Sequence, residues 1–171
     1  MKKIIILIFI LTFVFSQEEQ PYPPLELISM PTAGTLPRGT FTLETLLMDK
    51  GGLLPSFSIG ITDHLTLGVS FGIQEFIGTG SFKKNKSYPE VQIKYRVFEE
   101  TESRPSILFG LDTQGKGEYL LDRDRYEQKA MGAYFVLSRN YEILGNLGFH
   151  IGANKNLFET SDGDDDKNLF F

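Results

Sequence analysis

From Gly39 onward the chain alternates apolar with polar or small residues in one short run after another, and no stretch keeps a helical stripe. Leu65, Leu67, Val69, Phe71 and Ile73 interleave with Thr66, Gly68, Ser70, Gly72 and Gln74. Val91, Ile93, Tyr95 and Val97 interleave with Glu90, Gln92, Lys94 and Arg96. Ile143, Leu147, Phe149 and Ile151 do the same with Leu144, Asn146, Gly148, His150 and Gly152. Successive side chains of a strand point to opposite faces, so period two makes each run a strand with one apolar face and one polar face. Weaker versions run through Thr40–Met48, Ser56–Ile61, Ser106–Gln114 and Gln128–Leu137, which brings the expected number to seven strands.

The connections between these runs sort by length. Thr62-Asp63-His64, Glu99–Arg104 and Ser138–Tyr141 are short. Gln74–Ser87, Gly115–Arg125 and Ala153–Lys167 are long, polar and rich in Gly, Lys or Asp, with Asp49–Gly52 a shorter member of that set. Short and long connections alternate, which in an up-and-down antiparallel sheet puts all the short turns at one end. That asymmetry is the outer-membrane barrel pattern, with turns facing the periplasm and loops facing outside. Phe76, Tyr88, Phe98, Tyr126 and Tyr141 fall near strand ends, where interfacial aromatic girdles are expected. The fold class expected is therefore all-β, an up-and-down antiparallel transmembrane β-barrel. A secreted β-sandwich or soluble barrel is the alternative. It fits less well because the second face of several strands is mostly Gly, Ser and Thr, which suit a crowded lumen better than a water-exposed surface.

Composition agrees with this reading. The middling mean hydropathy excludes a polytopic helical membrane protein but suits strands whose two faces cancel. The absence of cysteine excludes a disulfide scaffold, thiolate metal sites and cysteine nucleophiles. A net charge of -5 gives no basic field for nucleic acid.

The N-terminus supplies an address. Met1-Lys2-Lys3 precedes an apolar run, Ile4–Phe15, broken only by Thr12, and Ser16 then meets Gln17-Glu18-Glu19-Gln20. A basic start, a short apolar stretch and a small residue at the cut form a secretory signal. As a helix the run reaches only about 18 Å, short of a hydrocarbon core of about 30 Å. Residues 1–16 are thus expected to be a cleaved signal peptide and residues 17–38 a Pro-rich periplasmic leader. Residues 39–171 are expected to form the barrel. Following strand direction, Asn168-Leu169-Phe170-Phe171 opens an eighth, inward strand of about 13 Å, too short for an apolar band of about 25 Å. Since single-chain bacterial barrels close with an even strand number, the sequence is expected to be the front part of a longer barrel, incomplete at its C-terminus.

The run Pro31-Thr32-Ala33-Gly34-Thr35-Leu36-Pro37-Arg38-Gly39, followed by Gly51-Gly52-Leu53-Leu54 and Ser58-Ile59-Gly60-Ile61-Thr62-Asp63, resembles the bacterial YjbH-like outer-membrane proteins. Pro89–Tyr95, Pro105–Gly115, Asn140-Tyr141, Leu144–His150 and Asp162–Phe171 look like the same group. These are turn and strand motifs, and none is catalytic. The resemblance implies an outer-membrane β-barrel with a proposed link to exopolysaccharide production or export. It also implies that proteins of this kind continue for several strands beyond the point matching Phe171.

Chemistry-bearing residues are sparse. Glu90, Gln92, Lys94 and Arg96 form a mixed-charge row opposite the apolar row of the same strand, so they are expected to face the lumen. A structural network with Glu44 and Asp112 is one reading, and pore selectivity the other. His150 lies on the polar face of its strand and is expected to make a lumen hydrogen bond. A Ser/His site with Ser70 or Ser106 is the enzymatic alternative. His64 is expected to be a solvated turn residue beside Asp63. Asp162-Gly163-Asp164-Asp165-Asp166 lacks the glycine and glutamate of an EF-hand loop and reads as a solvated acidic loop, with calcium binding as the alternative. Gly78-Thr79-Gly80 and Gly115-Lys116-Gly117 lack the Lys-Ser or Lys-Thr of a phosphate loop and read as hinges.

The functional expectation is a non-enzymatic envelope protein of the outer membrane, structural or serving passage or export, with no cofactor and no metal. Its expected partners are outer-membrane lipid or lipopolysaccharide, the barrel assembly machinery and, through the resemblance, a polysaccharide. The alternatives are an outer-membrane lipid-modifying enzyme and a secreted soluble β-domain that binds a ligand.

Overall fold

The computed structural model describes residues 23–28, 30–142, 146–160 and 167–171. The expected signal peptide, the first part of the leader, Ile143, Leu144, Gly145 and the acidic run Asp162–Asp166 lie outside the described residues.

The wall of the molecule is one antiparallel sheet. Its strands are β3 (Phe41–Met48), β4 (Gly52–Thr62), β5 (Leu65–Ser70), β8 (Glu90–Phe98), β9 (Ser106–Asp112), β12 (Gly132–Glu142), β13 (Asn146–Lys155) and β14 (Lys167–Phe170). The smaller strands are β1 (Glu26–Leu27), β2 (Met30–Pro31), β6 (Ile73–Gln74), β7 (Lys83–Lys84), β10 (Lys116–Leu120) and β11 (Arg125–Gln128). Each wall strand pairs with the next wall strand along the chain, in the order β3-β4-β5-β8-β9-β12-β13-β14. Each expected strand run has its wall strand, and the terminal stub is β14. Among the described residues the sheet does not close on itself: β3 and β14 end the run of wall strands, and β6 and β7 extend the same sheet from β4.

Two details differ from the periodicity. Ser138–Tyr141, expected as a turn, continues β12 and pairs with residues from Leu147 to His150. Ser138 and Asn140 there continue the inner face and Arg139 and Tyr141 the outer one, although Arg139-Asn140 looks like turn chemistry. The stretch Gly115–Arg125, expected as an open loop, forms the β10–β11 hairpin and takes Gln128 from the strand assigned to it.

The pairing register sorts the side chains into two faces. On one, cross-strand rows align Leu43, Phe57, Val69 and Val91, and then Ile93, Leu111 and Ala133. A further row aligns Tyr95, Phe109, Phe135, Ala153 and Leu169. This outer face is exposed: Phe41 is 67% accessible and Phe149 58%. The charged residues on it are Arg139, Lys155 and Lys167, all near strand ends. On the inner face the rows are Glu44, Ser56, Ser70 and Glu90, then Thr66, Lys94, Gly110 and Tyr134. This face is largely buried, with Ser70 1% and Glu90 5% accessible. The usual arrangement of a water-soluble sheet, apolar inside and polar outside, is inverted.

The inner face is covered by the chain's own N-terminal segment. Residues 31–36 are buried throughout. Ala33 packs on an apolar pad of Leu108, Tyr134 and Val136, with Phe170 and Met131 beside it. Gly110 makes room for that pad, because a Cβ there would stand 2.1 Å from the Tyr134 ring.

Candidate functional site

A buried backbone segment needs partners for its amides, since an unmet donor costs about 1–3 kcal/mol. Here hydroxyls of the wall accept them. The Ala33 amide donates to Ser138 Oγ at 2.9 Å and the Leu36 amide to Thr66 Oγ1 at 2.9 Å. The Thr35 hydroxyl donates to the Asp63 carbonyl at 2.7 Å, the Arg38 amide to Asp63 Oδ1 at 2.9 Å, and the Gly39 amide to the Gly60 carbonyl at 2.8 Å. The Thr32 hydroxyl donates to the Pro24 carbonyl, beside the β1–β2 pairing that sets Glu26 opposite Pro31 and Leu27 opposite Met30. The Ser and Thr residues of the polar face thus hold an irregular segment that crosses the wall near its turn end.

The sequence-predicted row separates into three local arrangements. Lys94 is buried, donates to the Leu25 carbonyl at 2.7 Å and stands 3.7 Å from Glu26. Arg96 reaches the turn end, donating to the Asp63 carbonyl at 2.8 Å and to Glu99 at 2.9 Å. Glu90 points to the loop end, 2.6 Å from Lys86 Nζ, and accepts from Thr113 Oγ1 at 2.5 Å and from Tyr126 OH at 3.1 Å. Gln92 lies opposite Asp112 in the register and lines the cavity described below. Among the described residues the row's ion pairs go to Glu26, Glu99 and Lys86, while Gln92 hydrogen-bonds the Asp112 carboxylate, and Asp112 and Glu44 stand near enough to Lys94 to act on its charge. Asp112 accepts the Gln114 amide at 2.9 Å.

His150 makes the inner-face hydrogen bond expected of it, with Nδ1 2.7 Å from Ser138 Oγ. Neither Ser70 nor Ser106 is its partner. Ser70 donates to Gln114 Oε1 at 2.9 Å and Ser106 to the Phe98 carbonyl at 3.0 Å. Ser138 lies in the stretch whose composition reads as a turn, so the sequence gives no sign of this contact. Its hydroxyl is already engaged by the Ala33 amide, so the pair ties two strands to the lining segment. His64 is exposed in its turn, 4.0 Å from Glu99.

The loop end is covered by folded hairpins. Gln74 and Asn85 both donate to the Gly117 carbonyl at 2.9 Å, joining β6–β7 to β10–β11. Lys86 lies over the Tyr119 ring at 4.4 Å and the Tyr126 ring at 5.2 Å while pairing with Glu90. Tyr126, expected near an interface, is instead fully buried within this cap, whereas Phe76, Tyr88, Phe98 and Tyr141 are exposed. Burial, then the Glu90 carboxylate beside it, holds its phenol well above the ordinary tyrosine range. Burial also raises Glu159, which accepts the Ala130 amide at 3.0 Å in the last long loop.

Between the β1–β2 pair and the cap lies a cavity of about 420 Å³, lined by Ser56, Ser70, Gln92, Lys94, Asp112 and Gln114 among others. Hydroxyls, amides and charges of both signs meet there, a surface suited to water and polar solutes. Among the described residues no group of His, Asp and Glu is placed to hold a metal ion. Among them too, no helix is long and apolar enough to cross a membrane, which leaves strand crossing open.

The chain matches no protein-family model, no curated protein and no solved structure.

Proposed function

We propose that this chain forms the wall of an outer-membrane β-barrel of the cell envelope, structural or serving passage of polar solutes, with its N-terminal segment lying inside. The observation that carries the reading is the inversion of the two faces. Rows of Leu, Ile, Val and Phe stand exposed on one side while Ser, Thr, Gln, Lys and Glu are buried on the other. In water the exposed rows would be a large apolar patch, which soluble monomers avoid. Against lipid the same rows are the favourable surface, and the antiparallel pairing satisfies the backbone groups that lipid cannot. A secreted soluble domain would have to bury those rows, and nothing described covers them.

The barrel closes when β3 and β14 gain partners, from each other or from further strands. The signal-like N-terminus supports export across the inner membrane and delivery to the assembly machinery. The resemblance to YjbH-like proteins extends the passage reading to exopolysaccharide. The Ser138–His150 contact is the observation that keeps a lipid-modifying enzyme as a second reading, and His150→Ala abolishes activity only in that case.

Expression in a Gram-negative host, followed by membrane fractionation and gel migration with and without boiling, tests the proposal. The protein is expected in the outer-membrane fraction with heat-modifiable migration. Recovery as a soluble periplasmic species with unchanged migration would sink it.

A further inference from the structure

The outer face carries a notch among the described residues. Ala133 and Ala153, on neighbouring strands, leave a dent flanked by the Phe109–Phe135 ring pair, whose centroids are 5.3 Å apart, and by Leu169. The groove has a volume of about 540 Å³. At its loop-end rim stand Lys155 and Lys167, direct cross-strand partners that both line it. Like charges placed opposite each other on one sheet face repel. Among the described residues no carboxylate pairs with either lysine. The other outer-face cation, Arg139, is already engaged, donating to the Glu102 carbonyl at 2.6 Å and lying 5.3 Å from the Tyr141 ring. An apolar slot ending in two adjacent cations complements one kind of molecule, an acyl chain ending in a phosphate.

We propose that this notch binds an anionic phospholipid, with an acyl chain along Ala133, Ala153 and Phe135 and the phosphate against Lys155 and Lys167. The inference rests on the membrane reading, since it needs the outer face to meet lipid.

The test reconstitutes the full chain in phosphatidylcholine vesicles containing a trace of spin-labelled phosphatidic acid or spin-labelled phosphatidylcholine. A chelator is present so that no divalent cation bridges through the acidic run at 162–166. The fraction of each label whose motion the protein restricts is compared. Phosphatidic acid is expected to be preferred, and each lysine near an anionic lipid contributes about fivefold. Lys155→Gln or Lys167→Gln should therefore cut the preference about fivefold, and the double variant should abolish it. Ala153→Phe, which fills the slot and leaves both lysines, should also reduce it. Equal restriction of the two lipids by the unaltered chain, or a preference indifferent to Ala153→Phe, overturns the site while the membrane reading stands. Restriction of neither lipid overturns both.

Discussion

Val91 and Gln92 are covalent neighbours, yet one belongs to an exposed apolar row and the other to a buried polar one. The same contrast runs along β5, where Leu67 and Val69 are exposed and Thr66, Gly68 and Ser70 are buried. On the outer face Leu67, Ile93 and Phe109 have no protein layer over them, and charge is confined to strand ends. On the inner face Lys94 and Glu90 are charged and buried, each with a counter-charge and further hydrogen bonds. The difference teaches which medium each face is built for. On the membrane reading we propose, the uncovered apolar rows meet hydrocarbon, and charges kept inside survive only where partners replace water.

If the inner charges persist because they are paired, removing one partner should hurt more than any other single change. Lys86→Met leaves Glu90 buried without its cation and is expected to cost about 3–5 kcal/mol. The shift in urea midpoint for refolding into vesicles measures it, and Glu90→Gln in the same chain should recover part of the loss. The outer face is tested by the opposite change. Ile93→Arg puts a charge in the middle of the apolar band and should cost about 2–4 kcal/mol. Glu44→Gln, facing the cavity, should stay within about 0.5 kcal/mol. Equal effects of those two substitutions would erase the distinction between the faces.

The wall's alternation was legible in the sequence because period two survives in each strand separately, as in Glu90–Phe98. Which residues lie across from one another was not, since register depends on turns and a bulge, such as the one between Arg96 and Phe98. Glu90, Gln92, Lys94 and Arg96 share one face of β8, as alternation dictates, and Asp112 was legible as a neighbour of that row while the partners from the N-terminal segment were not. Lys94 pairs with Leu25 and Glu26, more than sixty residues away in a stretch without strand periodicity. The burial of residues 31–36 had one faint signal: Pro31-Thr32-Ala33-Gly34-Thr35-Leu36 carries no charge, although Glu26 and Arg38 flank it. Ser138 was missed because Arg139 and Asn140 resemble a turn.

That lining segment gives a milder test than Lys86→Met or Ile93→Arg. Gly60 passes under it, and a Cβ there would lie 2.1 Å from the Pro37 carbonyl and 2.6 Å from that of Leu36. Gly60→Val is expected to cost about 1–3 kcal/mol by overpacking and to release the segment without dismantling the sheet. The readout is tryptic cleavage after Arg38, faster in the variant while heat-modifiable migration persists.

The central claim, that the exposed rows face lipid, is tested most directly on β8. The chain has no cysteine, so single cysteines from Glu90 to Phe98 can each carry a spin label without background. In vesicles, labels at Val91, Ile93, Tyr95 and Val97 should be relaxed strongly by oxygen, which concentrates in hydrocarbon. Labels at Gln92 and Lys94 should not, giving a period of two along the strand. Relaxation of the Val91, Ile93 and Tyr95 labels by a water-soluble nickel complex instead, or no periodicity at all, would contradict the account.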